Sequence, residues 1–187
     1  MLKQQIQQLT DEPDFVQRVI QHEVPMLRAD WGAKDEDALV HSLGVNLFAG
    51  LGRSFGHVGI AEYPVPRAEQ WQRKLVRVDS AWFDSSTKKL VLLAEFERFS
   101  RETAIEKMTN LFVAAHGCDE TPNALVLCLW SLDGVSVDVP WLRTDQPLSV
   151  PGGPPVERPS GASVYILHAV FGRRGDYLYF LRLRRLA

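Results

Sequence analysis

Two nearly continuous apolar segments, KLVLLAEFERF at 89–99 and ALVLCLWSL at 124–132, constrain this chain more than anything else in it. Segments of this length and composition suit central strands buried on both faces of a sheet, where no alternation with polar residues is needed. Between them lies RETAIEKMTNLFVAAH at 101–116, in which Ala104, Ile105, Met108, Leu111, Phe112 and Ala115 recur at helical spacing. Ser100 stands where an N-cap is wanted and Gly117 where a helix stops. The middle of the chain therefore reads strand, helix, strand, and the fold class is α/β.

Upstream, KLVRVDSAWFD at 74–84 alternates as a strand, with Val76, Val78, Ser80 and Trp82 on one face and Arg77, Asp79 and Ala81 on the other. DSSTKK turns it into the apolar strand at 89. HVGIAEYPV at 57–65 reads as an earlier strand, interrupted by Pro64 and Pro66. Before it, a helix is expected from about Asp35 to Leu51, with Leu39, Val40, Leu43, Leu47 and Leu51 as its apolar stripe and Asp35, Glu36 and Asp37 in its first turn. Gly44, Gly50 and Gly52 would allow close backbone approach there. A further helix is expected within 11–30, ended or kinked by Pro25.

Downstream, VSVDVPWL is expected to return as an edge strand after an Asp133-Gly134 turn. Residues 143–162 are rich in Pro, Gly and Ser and read as a long loop. SVYILHAVF and YLYFLRLRRL, joined through GRRGD, read as a closing β-hairpin over 163–187. The whole, 1–187, is expected to be one domain with a core at 35–132, an N-terminal helix and a C-terminal hairpin around a mixed central sheet.

Composition narrows the function classes. With 45% apolar and 24% charged residues, disorder and fibrous structures are excluded as the main architecture. No segment approaches the roughly 20 apolar residues of a membrane helix, and MLKQQIQQLTDEPD lacks the apolar core of a signal peptide. The expected location is the cytoplasm. Cys118 and Cys128 form no CxxC pair and read as buried thiols. The five histidines, His22, His41, His57, His116 and His168, show no metal-ligand spacing and read as packing or surface residues. GLGRSFG at 50–56 has no GKS or GKT and follows a helix, so it is no Walker loop. The net charge of −2 argues against broad coating of a nucleic acid and leaves room for a narrow site.

Three carboxylates carry the chemistry. Glu95 and Glu97 lie two apart on one strand and point to one side of the sheet. The DSSTKK hairpin brings Asp79 beside Glu95. Acids held together in a sheet repel and lose hydration, and a divalent cation compensates.

The α-β-β-β-α-β order from 35 to 132, with VRVDSAWFD followed by LVLLAEFER, resembles the PD-(D/E)xK nuclease superfamily of restriction-endonuclease-like proteins. Asp79 matches its first acid and Glu95 its second, over about 100 residues of similar element order. The motif's lysine position holds Glu97 instead. The resemblance implies a Mg²⁺- or Mn²⁺-dependent nuclease acting on DNA. It makes Asp79, Glu95 and the backbone carbonyl of Phe96 metal ligands, with Glu36 or Glu62 as an added acid. Glu97 would orient the attacking water, or Lys107 would do so as a lysine moved to the following helix. Arg67, Arg73, Lys74 and Arg77 approach Asp79, and Arg173, Arg174, Arg182, Arg184 and Arg185 lie on the last hairpin; from these sets Arg67, Arg73, Lys74, Arg77, Arg173 and Arg174 are the expected DNA contacts. A chain of this size with one centre suits a homodimer that makes double-strand cuts. The alternative that Glu97 keeps open is a non-catalytic binding or assembly module on the same fold.

Overall fold

The computed structural model describes residues 1–65 and 76–187. The chain opens with α1 (Leu2–Asp11) and α2 (Pro13–Glu23), followed by a 3₁₀ turn at Pro25–Leu27 and a two-residue strand, β1 (Ala33–Lys34). Then come α3 (Asp37–Ser54), β2 (His57–Val65), β3 (Val76–Asp84), β4 (Leu90–Arg98), α4 (Arg101–His116) and β5 (Ala124–Leu132). The α-β-β-β-α-β order expected from the sequence is thus present. β6 (Ser163–Arg174) and β7 (Tyr177–Arg185) form the closing hairpin.

All strands join one mixed sheet in the order β1-β7-β6-β5-β4-β3-β2. β4, β5 and β6 run parallel at its centre, and the remaining pairs are antiparallel. Every β5 residue from Ala124 to Ser131 is buried, as its apolar run demands. One face packs under α1, α2 and α3 around Trp82, Phe96, Trp130 and Phe171. The other is covered by α4 and by the Pro/Gly-rich stretch, whose Val150, Val156 and Ala162 are buried against it. The Ser100 hydroxyl accepts from the Thr103 N–H at 3.0 Å, so α4 starts at the cap the sequence marks. Cys128 is buried as expected and Cys118 only half-buried; burial pushes the Cys118 thiol up to about 11 and raises Cys128 as well.

Four sequence expectations change. First, α1 is an additional N-terminal helix, held by buried Ile6 and Leu9; three apolar residues, Leu2, Ile6 and Leu9, in a Gln-rich run make a short stripe. Second, VSVDVPWL forms no strand. The sheet places beside β5 are taken by β4 and by β6, the latter through nine parallel pairs from Ala124↔Ser163 to Leu132↔Phe171. Third, Pro64 does not interrupt β2, because β2 is an edge strand and a proline there forfeits no ladder bond. Fourth, the alternation of β3 slips by one: Val76, Val78 and Ala81 face α4, whereas Trp82 packs with the α3 side. The slip falls at Asp79 and Ser80, where the site begins.

Candidate metal centre

β3 and β4 pair from Trp82↔Leu92 through Ser80↔Ala94, and there the ladder stops. Past that point the two strands fork. The Phe96 N–H donates instead to Asp79 Oδ2 at 2.7 Å, so a side chain replaces the strand partner that a buried amide requires. On the other side of β3, the β2 ladder skips from Ala61↔Ser80 to Tyr63↔Val78. Glu62 and Asp79 face each other in the gap, and Glu62 has a left-handed backbone with φ 54°. For a residue with a side chain this costs on the order of 1 kcal/mol or more, and such strain gathers at functional sites.

Two helices complete the fork. α3 crosses close to β4 because Gly44 has no side chain: a Cβ there would lie 2.1 Å from the Phe96 ring. That approach places His41, one turn earlier, against the end of β4. Its Nδ1 lies 2.8 Å from the Phe96 carbonyl, and its Nε2 lies 3.5 Å from Asp79 Oδ1. With Nδ1–H donated to the carbonyl, Nε2 is the ring nitrogen that faces Asp79. This is the usual way a protein orients a histidine ligand. From the opposite face α4 extends Lys107, whose Nζ lies 3.2 Å from Glu95 Oε2 and 2.6 Å from Glu97 Oε1.

His41, Glu62 and Asp79 each offer one ligand atom, all within 4.8 Å of one another, and together could hold a metal ion. Ligands at about 2.1 Å from one ion sit roughly 3–3.5 Å apart, which the His41–Asp79 separation meets. Asp79 is buried, His41 half-buried and Glu62 exposed, so the group opens to solvent on the Glu62 side.

Glu95 is fully buried, and its Oε1 has no hydrogen-bond partner. Burial first, and the Asp79 carboxylate second, push its pKa well above the ordinary glutamate value, with Lys107 opposing. Burial also raises Asp79, against the Phe96 N–H, Lys107, His41 and a hydrogen bond with Glu95. The two acids thus press on one another, and the more deeply buried Glu95 is the one pushed further up. Burial works against the Lys107 ammonium, but Glu95, Glu97 and Asp79 outweigh it and hold its pKa above the lysine norm. The site is a compact set of charges, each costly to bury without the others.

Comparison with protein-family models, curated proteins and solved structures returns no significant match. The α/β sheet and the His41, Glu62 and Asp79 group therefore stand on their own geometry.

Of the residues expected from the sequence, Asp79, Glu62, Glu95, Glu97 and Lys107 come together. Phe96 lies among them, with its carbonyl meeting His41 and its N–H meeting Asp79. Glu36 does not join them: it stands at the N-cap position of α3, with no side-chain capping bond, and pairs with Lys34 at 2.7 Å on the surface. Arg77 lies 3.7 Å from Glu62. Arg173 is paired with Asp35, and Arg174 reaches the Trp31 carbonyl at 3.4 Å. Arg67, Arg73 and Lys74 lie outside the described residues. His41 is the residue that the sequence reading missed. An apolar-periodicity count passes over glycine, so it set the inward face of α3 by Val40 and Leu43. The face against β4 runs through Gly44, with Phe48 beyond it at 6.2 Å from the Phe96 ring.

No described helix is long and apolar enough to cross a membrane.

Proposed function

We propose that this chain is a metal-dependent nuclease that hydrolyses phosphodiester bonds in DNA, on a restriction-endonuclease-like core. Its site would be of the PD-(D/E)xK type, with the lysine supplied by α4. The observation that carries this reading is the double pairing of Lys107 with Glu95 and Glu97. It assembles an Asp79, Glu95 and Lys107 set even though the motif's lysine position holds Glu97. Glu97 then acquires a role as the anchor that fixes the ammonium.

The residues fit a divalent cation. The orphaned Glu95 Oε1 is a buried oxygen without a proton donor, and Asp79 is common to Glu95 on one side and to His41 and Glu62 on the other. Asp79 with Glu95, or Asp79 with His41 and Glu62, would hold Mg²⁺ or Mn²⁺. An imidazole ligand tilts the preference toward Mn²⁺, because Mg²⁺ favours oxygen donors. When bound, the ion would lower the pKa of a coordinated water and offset charge on the phosphate. The Lys107 ammonium would orient that water and donate to a non-bridging phosphate oxygen. The Phe96 carbonyl would hold the His41 ring in its ligating tautomer.

One observation favours the non-catalytic alternative. Lys107 already neutralises the acid pair from within, as a structural cation can. Cleavage of plasmid DNA with Mn²⁺ or Mg²⁺ separates the two. The nuclease reading expects nicking by the wild type and a loss of roughly a thousandfold, ~4 kcal/mol in the barrier, in Lys107→Ala with unchanged circular dichroism. A wild type that binds Mn²⁺ by calorimetry yet leaves DNA intact would establish the alternative.

A further inference from the structure

The strand register carries a second line of polar residues away from the site. Glu97 pairs with Leu129, Leu129 with His168, and His168 with Arg184, one row across β4, β5, β6 and β7. The adjacent row brings Ser131, Val170 and Arg182 into line. At about 4.8 Å per strand, Arg184 lies roughly 14 Å from Glu97. Within these rows the His168 Nε2 and the Ser131 hydroxyl are 2.8 Å apart, and both side chains are buried. Arg182 donates through Nη2 to Asp133 at 2.9 Å, while its Nε is buried with no partner. Arg184 is exposed, and no carboxylate pairs with it among the described residues.

Of two guanidinium groups, two residues apart on one face of β7, only that of Arg182 thus has a carboxylate partner. The surplus is positive, and one N–H is buried without an acceptor. Burial, then Arg184 and Arg182, push the His168 imidazole below its ordinary value. A third positive charge is therefore disfavoured, and the corner lacks only an anion. Arg182 and Arg184 differ in this from Arg173, which already has Asp35.

We infer that Arg182 and Arg184, backed by the Ser131–His168 pair, form a subsite for a backbone phosphate of the DNA strand a few nucleotides from the bond that is cut. This rests on the nuclease reading. The subsite would place that phosphate on the β7 side of the sheet, three strands from Glu97. A phosphate there would accept from the exposed Arg184 fork and from the outer, solvent-facing end of the Arg182 guanidinium, the paired geometry that guanidinium groups favour.

The test is the salt dependence of binding of a short fluorescein-labelled DNA duplex, measured by anisotropy in EDTA so that no cleavage intervenes. Arg184→Ala should reduce the slope of log K against log salt by about 1, equally for unrelated sequences, while Arg184→Lys keeps most of the slope. Arg18→Ala, an exposed cation on α2, is the control and should leave the slope unchanged. A slope in Arg184→Ala equal to that of wild type, or no DNA binding by wild type, overturns the subsite. Cleavage by the same proteins is scored separately with Mn²⁺. A wild type that shows the slope change but never cuts overturns the nuclease reading alone. A wild type that cuts while Arg184→Ala keeps the full slope overturns the subsite alone.

Discussion

β3 carries an aspartate at each of two breaks in its pairing, and the protein treats them in opposite ways. Asp84 ends the strand at the DSSTKK turn. It is half-buried at the strand end, and its Oδ1 accepts from the Ser86 hydroxyl at 2.6 Å, the Thr87 N–H at 2.7 Å, the Ser86 N–H at 3.0 Å and the Thr87 hydroxyl at 3.0 Å. Those donors, the Ser86 hydroxyl foremost, pull its pKa below the carboxylate range. Asp79, five residues earlier, is buried at the fork with one N–H donor, and its pKa is raised. The first acid is satisfied by its own neighbours in sequence. The second is held by three other elements in a state it would not choose alone. An acid that stabilises a turn and an acid kept under electrostatic tension look alike as residue types, and their surroundings separate structure from chemistry.

The comparison can be broken most sharply by substituting both. Asp79→Asn keeps an oxygen for the Phe96 N–H and removes the charge. It should cost DNA cleavage roughly a thousandfold and leave the melting temperature unchanged or higher. Asp84→Ala should keep cleavage within about twofold of wild type, since its partners are all in the turn, and lower Tm by about 2–4 °C. Plasmid nicking and thermal melts on the two variants decide it. Equal losses of cleavage would show that β3 acts only as a scaffold and would remove Asp79 from the chemistry.

A second break concerns reach. The turn is closed by hydrogen bonds within residues 84–89, whereas the fork depends on α3 through Gly44. Gly44→Ala pushes a methyl into the Phe96 ring and should cost about 1–3 kcal/mol in urea unfolding through overpacking. It should also weaken Mn²⁺ binding, because Phe96 carries the hydrogen bonds that place both His41 and Asp79. Gly44→Ala combined with Phe96→Leu should lose less stability than the two separate losses added together. Additive losses would mean that the ring and the helix do not meet as the structure has them.

These contrasts explain what could be read from the residues. The turn was legible, because Asp-Ser-Ser-Thr satisfies itself within four residues. So were α4 and the apolar strands on either side of it, because a helix stripe and a run of buried strand residues are local patterns. Asp79 beside Glu95 followed from the short hairpin that joins their strands. Lys107 was legible only as an option, since whether a lysine bends back to a strand depends on how α4 sits on the sheet. The His41 contact was not legible, because it depends on an absent side chain at Gly44, and absence has no hydrophobic period. The stripe through Val40, Leu47 and Leu51 does face the core, but Glu36 stands at the N-cap position before the first turn, and the surface Lys34 holds it there. The left-handed Glu62 is likewise the product of one ladder that skips a residue on each of its two strands, which no single-strand pattern can announce.

The smallest effect separates the two acids by the sign of their pH dependence. Asp84 has a depressed pKa in the folded chain, so its contribution is present above the ordinary carboxylate value and is lost as pH falls toward the depressed one. Glu95 is raised well above its ordinary value, so the fold is favoured while it is protonated. That contribution is lost as pH rises from about 4 through its raised value. Lys107, also raised, keeps its share until the solution is more alkaline than its ordinary value. In EDTA, the melting temperature of the wild type should therefore decline across the weakly acidic to neutral range. Glu95→Gln can still donate to Asp79 and has no charge to bury, so its curve should be flatter there and lie roughly 2–4 °C above wild type at neutral pH. Saturating Mn²⁺ should remove that advantage by stabilising the wild type and not the variant, since an ion that binds only the folded site adds to its stability. Parallel curves for Glu95→Gln and wild type would show that Glu95 is ionised and compensated without a metal, which places it with Asp84 as a structural acid.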